Sequence, residues 1–97
     1  MNRRQRKAEP EDNGQANGPW EKLTFPAGQG AQIVACIWAN DVKRDDQSFV
    51  SYAVTVERRY NENGDWKSAK GFRPNDLLTA AHALQKAYDL ILEERNR

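Results

Sequence analysis

The chain has 97 residues, with 15 Lys and Arg against 14 Asp and Glu, and 38% of it is apolar. That length fits one small domain, and the net charge of +1 excludes both a uniformly basic tail protein and a wholly acidic one. No run approaches the roughly 18 apolar residues of a membrane span, and no apolar stretch follows the basic start Met1 to Lys7, so it does not read as a secretory signal.

Residues 1–21 are polar, punctuated by Pro10, Gly14, Gly18 and Pro19, and hold almost nothing to bury. Such a segment cannot offset the entropy of ordering it, so a disordered tail is expected there, with residues 22–97 as the single folded domain. Arg3, Arg4, Arg6 and Lys7 make its start basic, either a solubilising terminus or a short arm for a polyanion.

Leu23-Thr24-Phe25 reads as a short edge strand ended by Pro26. Gln32 to Trp38 is rich in β-branched and aromatic residues, as strands prefer. Asn40 to Gln47 is polar and charged, and a loop is expected. From Phe49 to Tyr60 the alternation is clean: Val50, Tyr52, Val54 and Val56 on one face, Ser51, Ala53, Thr55, Glu57 and Arg59 on the other. Asn61-Glu62-Asn63-Gly64-Asp65 is a strong hairpin-turn signal. Trp66 to Phe72 predicts the returning strand, with a bulge at Gly71.

Pro74 suits a first helical position, and Asp76 suits the positive end of a helix dipole. A helix is predicted over about 74–94. Leu77, Ala81, Leu84, Tyr88 and Ile91 recur at spacings of three and four, a stripe able to pack on the sheet or on a partner helix. The expected fold class is α+β: a three- to four-stranded antiparallel meander followed by one long C-terminal helix. One helix covers one sheet face at most, so a second copy is a natural source of missing core.

Nothing in the chain assembles an enzyme site. His82 lies mid-helix with no partner at a recognisable spacing. Cys36, the sole cysteine, lies in a predicted strand; it cannot form an internal disulfide and favours a reducing, cytoplasmic setting. One Cys and one His leave no ordinary zinc set, so neither a metal nor a cofactor is expected. Asp45-Asp46 is a solvated loop pair, and Gly28-Gln29-Gly30 lacks the Lys and Ser/Thr of a phosphate loop.

The predicted hairpin from Arg58 to Arg73 is different. Arg58, Arg59, Lys67, Lys70 and Arg73 outnumber Glu62 and Asp65 there, and Tyr60, Trp66 and Phe72 are interleaved. Cations attract phosphate and flat rings stack on bases, the usual means of holding an unpaired strand on an open sheet.

In its order of elements, residues Gln32 to Ile91 resemble the positive-cofactor-four family of transcriptional coactivators, with its Whirly-like relatives. The resemblance rests on Val56-Glu57-Arg58-Arg59-Tyr60, the turn from Asn61 to Gly64, Trp66-Lys67-Ser68-Ala69-Lys70-Gly71-Phe72, and the Pro74 helix start. It implies a homodimer joined through the helix by Leu77, Ala81, Leu84, Tyr88 and Ile91. It also implies single-stranded DNA, with RNA as an alternative, on a basic sheet surface, in transcription, replication or repair. Carried over by position, Arg58 and Arg59 fall at the family's basic strand end, Lys67 and Lys70 on its lysine-rich return strand and Trp66 near its aromatic position; the expectation for this chain is that these four cations and Arg73 contact phosphate while Trp66 and Tyr60 stack. The rival expectation is a protein-interaction module without nucleic acid, favoured by the near-neutral charge and by Asp41, Asp45 and Asp46.

Overall fold

The structure is a computed structural model that describes residues 18–97; of the tail expected over residues 1–21, residues 1–17 lie outside them. Four strands follow one another: β1 (Glu21–Pro26), β2 (Gln32–Arg44), β3 (Gln47–Glu62) and β4 (Asp65–Ala69). They pair antiparallel in sequence order. A single 3-10 turn at Pro74–Asp76 leads into α1, Leu77–Arg95. This is the α+β meander with one C-terminal helix that the alternation and the Pro74 signal predict. No helix among the described residues is long and apolar enough to cross a membrane.

The fold begins slightly before residue 22: Glu21 opens β1, and the Trp20 N–H donates to the Ile37 carbonyl at 2.7 Å. The expected loop at Asn40 to Gln47 is a correction. β2 continues to Arg44 and β3 starts at Gln47, joined by a tight turn in which Asp45 adopts φ 58°. An aspartate accepts this conformation because its short polar side chain bonds locally. At the other end of β3 the turn forms where Asn-Gly predicts it. Asn63 and Gly64 both have positive φ, and Asn61 Oδ1 accepts the Gly64 N–H at 3.0 Å. The return strand is shorter than Trp66 to Phe72: pairing stops at Ala69, and Gly71 lies beyond the strand.

The register assigns every side chain to a face. Glu21, Leu23 and Phe25 share a face with Ile33, Ala35 and Ile37, with Val54, Val56 and Arg58, and with Lys67 and Ala69. This inner face carries α1. Ile33 and Ala35 are buried against Ala80 and Ala83, with Leu23, Phe25, Val56 and Phe72 packed around them. Alanines at 80, 83 and 87 form the buried side of the helix, and their small size brings the helix backbone close to the sheet. The packing side is therefore not the Leu77, Ala81, Leu84, Tyr88, Ile91 stripe. Leu77, Leu84 and Tyr88 are 54%, 50% and 58% exposed.

Candidate nucleic-acid interface

Arg58, Arg59, Tyr60, Trp66, Lys67, Lys70 and Arg73 do not share one surface; the pleat divides them. Arg58 pairs with Ala69, and Tyr60 with Lys67, on the inner face. Arg59 pairs with Ser68, and Asn61 with Trp66, on the outer face. Consecutive strand residues point to opposite sides, so a run of basic residues on a strand cannot be one patch. The expectation of a single cationic hairpin surface is corrected on this ground.

The inner-face cations are engaged by acids. Arg58 Nε is 3.2 Å from Asp76 Oδ2, with Asp76 only 1% exposed. The same oxygen accepts the Arg73 N–H at 3.1 Å and Arg73 Nε at 3.4 Å. Arg73 also donates to Gln29 Oε1 at 3.2 Å and to the Gly28 carbonyl at 3.4 Å. Arg73 thus ties the helix entry to the turn after β1, and Arg58 ties it to the sheet. The Arg58 guanidinium stacks over the Tyr60 ring at 5.2 Å. Lys67 Nζ lies 3.0 Å from Glu62 Oε1. The buried Asp76 with Arg58 and Arg73 anchors the helix entry, whereas the Lys67–Glu62 pair is half-exposed and contributes little to stability.

Among the described residues no helix packs on the outer face, where Val34, between Thr24 and Glu57, is nevertheless only 2% exposed. Lys22, Cys36 and Thr55 lie in one cross-strand row. Arg59 stands beside Gln32 and Ser68, and Lys70 reaches over the sheet to a cavity floored by Cys36 and Thr55. Lys22, Arg59 and Lys70 make no ion pair within 4 Å among the described residues. Arg59 Nε is buried and finds no hydrogen-bond acceptor there. Glu57 is the carboxylate among them.

Three rings share this face. Trp66, 47% exposed, stands opposite Asn61. Trp38 stands opposite Ala53, and its Nε1 donates to Thr55 Oγ1 at 3.2 Å, which holds the indole in place. Phe49, 46% exposed, stands opposite Val42. At about 3.3 Å per residue the levels of Trp66 and Trp38 are about 26 Å apart along β3, and Phe49 is about 13 Å further. Sequence reasoning missed Lys22, Trp38 and Phe49. They sit on three different strands and join the site only through the register, and the polar segment Asn40 to Gln47 carries no apolar alternation to mark the length of the β2–β3 arm.

Burial of Cys36 pushes its thiol above the ordinary value; Lys22 and Arg59 pull it down and Glu57 pushes it further up. Burial prevails, so the thiol stays protonated at neutral pH. A larger cleft, ≈730 Å³, runs between β1 and the flank of α1 past Leu23, Phe25, Lys86 and Glu93. Its lining sets Lys22 and Lys86 against Glu21, Asp89 and Glu93, an acidic balance, so the outer face is the better candidate for a polyanion. No family model, curated protein or solved structure matches the chain.

Proposed function

We propose that this protein is a non-enzymatic single-stranded nucleic-acid-binding protein that lays its ligand across the outer face of the sheet. The observation that carries this reading is the sorting of charge by the pleat. Arg58 and Arg73 share Asp76 and Lys67 pairs with Glu62, while Lys22, Arg59 and Lys70 have no such partner among the described residues and stand on the face that carries Trp66, Trp38 and Phe49. The cations attract the phosphate backbone, with a strong salt dependence. Trp66, Trp38 and Phe49 provide stacking surfaces that accept any base. An unpaired strand fits this surface better than a duplex, whose bases are already stacked and whose charge lies on a curved exterior. Single-stranded DNA in transcription, replication or repair is the ligand class, RNA the alternative, and the sole cysteine, Cys36, suits a reducing, cytoplasmic setting.

The working unit in this reading is a homodimer. Leu77, Ala81, Leu84, Tyr88 and Ile91 run along one flank of α1, beside a sheet face on which Val50 is still 42% exposed. Large apolar side chains gathered on one flank mark an interaction surface. In an antiparallel helix pair related by a two-fold axis between residues 84 and 85, the small Ala81 meets the large Tyr88 of the second copy, twice. The same flank supports the rival reading, a module that docks another protein and no nucleic acid.

The test of the main reading is fluorescence anisotropy of a labelled single strand and of the matching duplex over a salt series. Preferential, salt-sensitive binding of the single strand supports it. No binding at micromolar protein in low salt rejects it and leaves the docking module.

A further inference from the structure

The outer face is not uniform. Between its rings lies a cavity of ≈420 Å³ lined by Cys36, Trp38, Thr55, Glu57 and Lys70, within the range of about 300–1,000 Å³ found for small-ligand clefts. Cys36 and the β3 residues Thr55 and Val56 line its floor. The indole of Trp38 is one wall, fixed by its bond to Thr55 Oγ1. That bond uses the Thr55 oxygen as acceptor and leaves the hydroxyl hydrogen available. The polar rim has two unlike groups, the Glu57 carboxylate and the Lys70 ammonium. Neither forms an ion pair within 4 Å among the described residues. A carboxylate is out of place on a surface meant only to attract phosphate, which it repels, so it calls for a partner that donates hydrogen bonds.

We propose that this cavity takes one guanine base of the bound strand and reads its Watson–Crick edge through Glu57 and Lys70. The idea rests on the single-strand reading above and adds a base preference to it. Guanine presents two adjacent donors, N1–H and the N2 amine, which match the two oxygens of a carboxylate, and next to them the O6 acceptor, which matches an ammonium or a hydroxyl. Adenine and cytosine offer a carboxylate one exocyclic amine, and thymine or uracil one ring N–H. Trp38 supplies the stacking partner for the base plane. The remaining rings and cations hold the strand without regard to sequence.

The experiment uses the full chain and two probes. The first compares an oligothymidylate with the same strand carrying a single central guanine, by anisotropy. The second titrates each of the four ribonucleoside 5′-monophosphates and follows the Trp38 indole N–H resonance, assigned with Trp38→Phe. The guanine-bearing strand is expected to bind about five- to 150-fold tighter, the range of one bidentate base contact. The guanosine nucleotide is expected to move the Trp38 resonance at the lowest concentration. Glu57→Gln abolishes the preference and leaves affinity for oligothymidylate equal or higher, since a negative charge is removed. Equal affinities for the two strands, or a preference that survives Glu57→Gln, overturns the guanine pocket while strand binding itself stands. A Trp38 response to the guanosine nucleotide with neither strand bound supports the pocket and overturns the strand reading. No response in either probe overturns both.

Discussion

Arg58 and Arg59 are neighbours in the chain and face opposite sides of the sheet. Arg58 lies under the helix entry, 3.2 Å from the buried Asp76, and Arg59 lies on the outer face without an ion pair among the described residues. One residue step separates a group that holds the fold from a group suited to a ligand.

Alanine at each position should therefore do different things. Arg58→Ala leaves Asp76 with Arg73 alone and should cost about 1–3 kcal/mol of stability, a fall in Tm of several degrees for a domain of this size. Arg59→Ala removes a poorly satisfied donor, so its stability should be unchanged or slightly raised. Its strand affinity should drop, and the slope of log K against log salt should lose about 0.7, one phosphate contact on a single strand. Thermal melts and salt-series anisotropy on both variants check this.

The exposed rings give a second expectation. Trp66→Ala and Phe49→Ala should each cost about 1–3 kcal/mol of strand affinity through lost stacking. Both side chains stand about half in solvent, and the fold should change by no more than about 0.5 kcal/mol. Short strands that reach only from Trp66 to Trp38 should be insensitive to Phe49→Ala, and longer ones should feel it. Anisotropy with strands of graded length reads this directly.

Much of the scaffold was legible in the sequence, for identifiable reasons. The alternation from Val50 to Val56 comes from a strand with one wetter face, and the Asn63-Gly64 pair supplies the positive φ its turn requires. Pro74 marked the helix entry within three residues of Leu77. The β2–β3 arm was hidden because its outer half reaches past the helix and is wet on both faces, so Asn40 to Gln47 carries no apolar period to detect. The helix was detected but its faces were not distinguished. Periodicity locates an apolar stripe, yet Ala80, Ala83 and Ala87 pack on the sheet while the larger Leu77, Leu84 and Tyr88 stay outside. The hairpin cations are plain in the sequence. Their division between two surfaces follows from strand parity and from Asp76 and Glu62, whose pairings depend on the three-dimensional fold.

The helix flank predicts an oligomer. By sedimentation velocity the chain should run at twice its own mass, and Leu84→Glu should return it to the monomer by placing a charge at the centre of the seam. Leu78→Glu, on the outward side of the helix and 84% exposed, should leave the dimer intact. A monomeric wild type would remove the dimer from the account and leave the strand site standing.

Cys36 offers a built-in reporter. Its thiol is held above its ordinary value chiefly by burial, so alkylation at neutral pH should be slow and should accelerate as pH rises through the raised value. By the same sign, the contribution of the protonated thiol to stability is complete below the unfolded pKa and is lost as pH climbs through the folded one. Because Cys36 floors the outer-face cavity, a bound strand should slow its alkylation further, several-fold, under conditions where a duplex does not.

Lys67 and Lys70 provide the most direct test of the central claim, that the uncovered face carries the ligand. They are three residues apart on or beside β4; Lys67 lies on the inner face with Glu62 at 3.0 Å, and Lys70 on the outer one. Lys67→Ala and Lys70→Ala should be compared for single-strand affinity across a salt series. Lys70→Ala should weaken binding and lower the salt slope, and Lys67→Ala should leave both unchanged. Equal losses for the two, or a loss confined to Lys67→Ala, would contradict that claim.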